Sequence, residues 1–241
     1  MTRVGLLGDG AGAAADVVCE GGGDPVVGED ALAGDVDALA ALGEPALLDA
    51  LAADVDAPVL PAAAGREYGG VSRDDLPDAL AALTAGEYDV RERQTLSVTT
   101  DGVDTRALAD VFMVTAEPAR ISEYAVETGA ERVDEVRADG VVAATPAGSH
   151  GYARDADGPL LSRGAGALSV VPVAQFRPER SRWVLDPPVT LTVVRDDADV
   201  SLLVDGRDNG FADAHQSVTL DWGDPLPVAV VASSTPVATF E

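Results

Sequence analysis

Lysine is absent from this chain of 241 residues: all 16 basic side chains are arginine, set against 42 Asp and Glu, for a net charge of −26. The clustered cations that neutralise a phosphate backbone are therefore missing, and nucleic acid is not an expected partner. The acids are spread along the sequence rather than gathered in one patch, and Ala, Val, Gly and Asp replace lysine and large apolar residues. That pattern is expected of a surface adapted to high internal salt, where screening removes self-repulsion. Cysteine is almost absent too. Cys19 is the only one, which excludes an internal disulfide and a cysteine-rich metal site; it is expected to pack as a small apolar residue on the first helix. No apolar run approaches the ~20 residues of a membrane span, and the first residues lack the charged-then-apolar order of a signal peptide. The sequence thus predicts a cytoplasmic protein with no membrane partner.

What is present suffices for a folded protein. Hydrophobic residues make up 46% of the chain, which excludes disorder, and the length allows two ordinary domains or one large one. The first part reads as alternating strands and helices. Arg3 to Leu7 is a short apolar strand, Gly8-Asp9-Gly10-Ala11-Gly12 a turn, and Ala13 to Cys19 a helix, the opening of a βαβ unit. Gly8, Gly10 and Ala13 also satisfy G-x-G-x-x-G/A, with Glu29 and Asp30 near the distance of a ribose-binding acid, so a dehydrogenase reading is open. Asp24 to Gly28 and Asp35 to Leu42 follow as short elements. After the turn Gly43-Glu44-Pro45, the sequence predicts a helix over Ala46 to Ala53 and a strand over Pro58 to Pro61. Asp74-Asp75 then caps a helix whose Leu76, Leu80 and Leu83 form one buried face.

From Gln94 the pattern changes to strands. Thr95 to Thr99 alternates, Asp101-Gly102 signals a hairpin, and Ala107 to Thr115 reads as the second strand. Ile121 to Val126, Glu131 to Val136 and Ala167 to Val173 are further strands. Val189 to Arg195 and Val200 to Val204 read as a hairpin closed at Asp196-Asp197, followed by strands over Ser217 to Trp222 and Val228 to Ala232. Between them, Val141 to Ala144 delivers the chain to Thr145-Pro146-Ala147-Gly148-Ser149, a turn whose backbone N–H groups are expected to be free for a phosphate or ribose, with Tyr152 adding a flat face. Thr, Pro and Gly also punctuate ordinary loops.

The order of these residues narrows the choice. Asp139-Gly140, the apolar run, Thr145-Pro146-x-Gly148-Ser149-x-x-Tyr152 and Gly158-Pro159 together resemble the NAD kinase family. That family carries an Asp-Gly pair, a Thr-Pro-Thr-Gly-Ser-Thr-Ala-Tyr loop and a Gly-Gly-Pro turn in this order. Ala147, His150-Gly151 and Asp157 depart from it. The resemblance extends to Leu108-Ala109-Asp110-Val111 (family Leu-Asn-Glu-Val), Pro172 (family Leu-Thr-Pro-Ile) and Val204-Asp205-Gly206 (family Val-Asp-Gly). Further upstream, Leu42-Gly43-Glu44-Pro45 and Pro58 to Gly65 occupy the family's Gly-Gly-Asp-Gly and Pro-Val-Leu-Gly-Ile-Asn-x-Gly motifs at the right spacing with altered chemistry: Pro45 removes an N–H, and Ala63 and Ala109 each replace an Asn. The family's C-terminal Leu-Arg-x-Lys-Leu helix is missing.

The resemblance implies an N-terminal α/β, Rossmann-like domain over residues 1–93 and a C-terminal β-sandwich domain over 94–241, with the ligand cleft where they meet. It implies phosphoryl transfer from ATP or polyphosphate to the 2′-hydroxyl of NAD, giving NADP. Glu44 would be the base, with the donor near Gly43; Asp110, Asp139, Thr145, Gly148, Ser149, His150 and Tyr152 would contact the dinucleotide. Mg²⁺ would be held by phosphates and water rather than by a carboxylate cluster. A homodimer or homotetramer is expected. Plain alternatives stand beside these roles: Gly43-Glu44-Pro45 as a helix start with an acid at the positive end, Asp110 on an edge strand, His150 as a turn cap, His215 as a solvated loop residue, and the Arg177 to Arg182 cluster as a salt-bridged or oligomer surface. A catalytically degraded NAD(P)-binding paralogue and a free-standing acidic interaction module are the other functional readings.

Overall fold

The computed structural model describes residues 1–65, 67–102, 104–117, 120–129, 131–177, 180–195, 199–212 and 214–235. The chain divides into two compact units: Met1–Arg93 with Pro225–Glu241, and Gln94–Asp224.

The first unit alternates strand and helix: β1 (Arg3–Gly8), α1 (Ala11–Glu20), β2 (Asp24–Val27), α2 (Asp30–Ala33), β3 (Ala38–Leu42), α3 (Glu44–Ala52), β4 (Val59–Ala62) and α4 (Leu76–Ala85). β2, β1, β3 and β4 lie side by side in parallel, with Val4 opposite Ala38 and Leu39 opposite Val59. β3, Ala-Leu-Ala-Ala-Leu, is buried along its whole length, as the continuous apolar run of a central parallel strand requires. Ala11, Ala14 and Val18 of α1 and Ala79, Leu80 and Leu83 of α4 pack on Val4, Leu6, Ala40 and Leu60. Cys19 points away from this core and is exposed, contrary to the expectation that it packs, because the buried stripe of α1 falls on Ala14 and Val18.

The remaining elements are β5 (Asp89–Thr99), β6 (Asp104–Ala107), β7 (Asp110–Thr115), β8 (Ser122–Thr128), β9 (Glu131–Ala138), β10 (Gly140–Ala144), α5 (Tyr152–Asp155), β11 (Leu168–Val173), β12 (Trp183–Leu185), β13 (Val189–Arg195), β14 (Val200–Val204), β15 (Arg207–Ala212) and β16 (Ser217–Val230). In the second unit they build two antiparallel layers. One has the order β9-β8-β13-β16, with β5 pairing both β16 and β6; the other has the order β12-β11-β10-β7-β14-β15. Their inward residues share one core: Leu96 and Val98, Val111 and Met113, Tyr124 and Val126, Val141 and Ala143, Leu191, Leu202 and Leu220. This is the sandwich expected from alternating strands. β10 is buried on both faces, since Val142 and Ala144 point outward and are covered by Ala153 of α5.

Three strand assignments from the sequence change. Ala107 to Thr115 is not one strand: β6 and β7 belong to different layers, and Leu108-Ala109 is the corner between them. The Asp205 carboxylate makes that corner by accepting the N–H groups of Leu108 (2.7 Å), Ala109 (2.7 Å) and Asp110 (3.0 Å). Val189 to Arg195 and Val200 to Val204 are strands but not a hairpin. β13 pairs with β8 and β16 while β14 pairs with β7 and β15, so the chain crosses layers there; the proposed closure at Asp196-Asp197 lies outside the described residues. Finally, Ser217 to Trp222 and Val228 to Ala232 are largely one strand, β16. Its first part pairs with β13, and Val228 in its last part pairs in parallel with Val59 of β4 in the first unit. Among the described residues, no helix is long and apolar enough to cross a membrane.

Candidate functional site

In the second unit, three separated segments converge on the Leu108–Asp110 corner. Asp205, at φ 48°, holds the corner's amides and returns its own N–H to the Asp110 carbonyl at 2.9 Å. The Thr145-to-Ser149 turn packs on the corner's other side. Thr145 Oγ donates to the Leu108 carbonyl at 2.9 Å, and the Thr145 N–H donates to the Ala109 carbonyl at 2.8 Å. Gly148 sits so close that a Cβ there would lie 2.1 Å from the Ala109 carbonyl oxygen, which excludes any side chain.

The sequence predicts free amides in this turn; in the structure most of them are taken up within the loop and its corner. Thr145 Oγ accepts the Gly148 N–H, and the carbonyls of Thr145, Ala147 and Gly148 accept those of Ser149, His150 and Gly151. Thr145 and Ser149 are buried, and the Ser149 hydroxyl is spent within the loop, donating to the Pro146 carbonyl and accepting the Leu161 N–H. These residues set the backbone of the loop.

The half-buried and exposed groups are Asp110, Asp139, His150 and Tyr152. Tyr152, 45% exposed, leans on Phe112 of β7 with ring centroids 5.0 Å apart and planes at 39°, an arrangement aromatic pairs favour. Its phenol pKa is raised from the ordinary value of 10.0 first by burial and then by the charges of Asp139, Asp155 and Asp110. Gly140, beside Asp139, has no room for a Cβ, which would stand 2.5 Å from the Met113 carbonyl oxygen and 2.6 Å from the Phe112 ring. The Asp-Gly pair thus brings a carboxylate to the edge of the aromatic pair. Asp157, in the position of a family glycine, has φ 64° and accepts Arg180 at 2.6 Å and Arg182 at 3.3 Å. Arg177 binds Asp134 at 2.9 Å, so the described arginines of the 177–182 cluster are salt-bridged.

In the first unit, β1, β3 and β4 all end at one edge, the carboxyl edge where open α/β sheets bind ligands. A cavity of about 270 Å³ opens there, lined by Asp9, Gly10, Ala13, Leu42, Ala63 and Arg73 among others. Gly43, at φ 97° and ψ 161°, turns the chain from β3 into α3, a conformation reserved for glycine. Glu44 opens α3, at its positive end. Its Oε1 accepts the hydroxyl of Tyr68 at 2.9 Å. Ala63, where the family carries Asn, has φ 53°, a left-handed conformation that Asn tolerates better than Ala.

Sequence reasoning missed Asp205, Phe112 and Tyr68. Asp205-Gly206 was legible as a turn, but not the amides it caps; Phe112 carried the signal of an aromatic alternating outward from Val111 and Met113. Tyr68 lies in a loop with no pattern of its own. Among the described residues, no group of three or more His, Cys, Asp or Glu side chains is placed to hold a metal ion.

The model of the ATP-NAD kinase C-terminal domain matches residues 108–225, the stretch that begins at the corner and contains the turn, the aromatic pair and Asp205. This stretch of the chain belongs to the NAD kinase family. An NAD kinase of Clostridium perfringens is 30% identical over 151 residues, covering 61% of this chain and 55% of that protein. One from Methanosarcina mazei is 37% identical over 103 residues, covering 42% and 36%. The chain thus spans little more than half the length, or less, of these curated relatives. In structure, an NAD kinase from Archaeoglobus fulgidus solved with ATP superposes with a TM-score of 0.76 at 17% identity, over 94% of this chain and 93% of that one. The yeast NADH kinase solved with NADH gives 0.77 at 15%, over 97% and 84%. The family's fold, α/β followed by a strand-rich domain, is the one predicted.

Proposed function

We propose that this protein transfers the terminal phosphoryl group of ATP, or of polyphosphate, to the 2′-hydroxyl of the adenosine ribose of NAD. What carries the reading is that the residues matched to the family's C-terminal domain are those that assemble Asp110, Asp139 and Tyr152 on one face of the second unit. The roles follow from chemistry. Tyr152 on Phe112 offers a platform for a flat ring, and Asp139 and Asp110 offer acceptors for ribose hydroxyls. Glu44, at the head of α3, takes the proton of the 2′-hydroxyl. As the oxygen–phosphorus bond forms, the bond to the leaving phosphate breaks, so that NAD and ATP yield NADP, ADP and one proton. Mg²⁺ would arrive on the donor's phosphates and supply countercharge.

Purified protein in molar salt with NAD, ATP and Mg²⁺ should form NADP, read by coupling to a dehydrogenase. Glu44→Gln should lower the rate by about 10²- to 10⁴-fold without loss of folding. Dinucleotide-dependent thermal stabilisation with no turnover would instead leave only a binding protein. The charge of −26 supports a cytoplasm of high salt as its setting. Phe176, Val184 and Phe211, 72%, 53% and 62% exposed, support a homodimer or homotetramer as the working state.

A further inference from the structure

We infer that Tyr68 is a positioning residue for the carboxylate of Glu44, an inference that rests on the role proposed for Glu44. Tyr68 is 2% exposed, yet its hydroxyl reaches out of the core to donate to Glu44 Oε1 at 2.9 Å. The loop that carries it is fixed from several sides. Val71 donates to the Pro61 carbonyl at 2.9 Å and accepts from Ala63 at 2.8 Å, so the loop folds back on the end of β4. Gly70 permits this return, since a Cβ there would lie 2.0 Å from the Pro61 carbonyl oxygen. Thr235 clamps Gly70 through both backbone directions, at 2.7 and 3.2 Å. The Arg93 guanidinium donates to the Tyr68 carbonyl.

A side chain anchored in this way restricts the motion of its partner. Glutamate has one more rotatable bond than the family's aspartate, and an unrestrained carboxylate at a helix head samples several rotamers. Tyr68 selects one and occupies one oxygen, leaving the other for the proton of the attacking hydroxyl. The longer acid and the buried phenol thus act as a pair.

Tyr68→Phe removes only the hydroxyl. With ATP and NAD in molar salt, kcat should fall roughly ten- to hundredfold, the cost of a misplaced catalytic group, while KM for NAD and the melting temperature stay within about twofold and about 2 °C of the parent. In the Glu44→Gln background the same change should have no further effect on turnover, because the pair acts as a unit. Tyr68→Phe with kcat within twofold of the parent, or with loss through KM alone, would overturn the positioning role and leave the kinase reading intact. A parent protein that forms no NADP would overturn the kinase reading itself. If Tyr68→Phe proves unstable, Glu44→Asp alone decides: shortening the acid withdraws it from the Tyr68 hydroxyl, so kcat should fall roughly ten- to hundredfold with KM for NAD within about twofold of the parent, and a kcat within twofold of the parent would reject the pair.

Discussion

The first unit keeps its site groups at exposed chain ends, whereas the second locks most of its motif into a packed loop, and the family's letters survive in proportion. Where a residue is held by a side-chain hydrogen bond or by the lack of room for a Cβ, as at the buried Thr145 and Ser149 and at Gly140 and Gly148, the family's residue is present, whereas the buried Ala109 and Ala147 of the same corner and turn, whose side chains make no hydrogen bond, have changed. Where it projects from a strand end, as at Glu44, Pro45 and Ala63, all exposed, the residue has changed. Packing punishes substitution through the whole fold, while an exposed group answers only to the chemistry it performs.

Glycine substitution in each unit tests this contrast most strongly. Gly148→Ala would drive a methyl to 2.1 Å from the Ala109 carbonyl, backbone against backbone, with no flexible side chain to yield. The expected loss is about 3 kcal/mol or more, read by chemical denaturation in molar salt. Gly12→Ala, in α1 with open space around its Cβ, should gain about 0.5–1 kcal/mol by removing a helical glycine. Equal effects at the two sites would break the comparison.

Tyr152 supplies a subtler test, because it is the exposed member of the locked loop. Its pKa is raised by burial first and then by Asp139, Asp155 and Asp110. The folded state therefore holds the phenolic proton more tightly than the unfolded chain. That preference stabilises the fold below the unfolded value near 10 and is lost as pH rises through the folded one. Absorbance titration of the phenols should show Tyr152 ionising above the usual range alongside the more deeply buried Tyr124, whose pKa burial also raises; with Tyr124 removed by Tyr124→Phe, Asp139→Asn should move the Tyr152 step downward by less than removal of burial would. A Tyr152 that ionises normally would mean that the carboxylates do not face it.

How much of this was legible in the sequence follows the same division. The strand–helix alternation of the first unit, with Leu76, Leu80 and Leu83 on one face, and the turn residues of the second were readable because periodicity and glycine placement are local properties. Layer assignment was not. Nothing local tells β13 and β14 that they belong to different sheets, or that Leu108-Ala109 is a corner, since the group that makes the corner, Asp205, lies 97 residues from Leu108. The candidate site was proposed by kinship, through Asp139, Tyr152 and Glu44, and its contacts were illegible wherever a partner came from elsewhere in the chain. Phe112 beneath Tyr152 and Tyr68 beside Glu44 are such partners. β16 evaded the sequence because Gly223, Asp224 and Pro225 look like a turn, whereas the strand continues through them and takes its pairing from both units.

The smallest effect separates conformational from chemical reasons for a departure. Ala63 stands where the family has Asn, and its φ of 53° costs an alanine about 1 kcal/mol or somewhat more. Glycine removes that cost but gives back about 0.5 kcal/mol of unfolded-state entropy. Ala63→Gly should therefore stabilise the protein by only about 0.5 kcal/mol, a shift of a degree or two in melting temperature. Because Ala63 is exposed, no packing opposes the gain. If the substitution destabilises instead, the methyl has a packing role, and the position belongs with the locked residues of the second unit rather than with the free chain ends of the first. If it stabilises with unchanged turnover, backbone conformation alone accounts for the cost of the missing Asn.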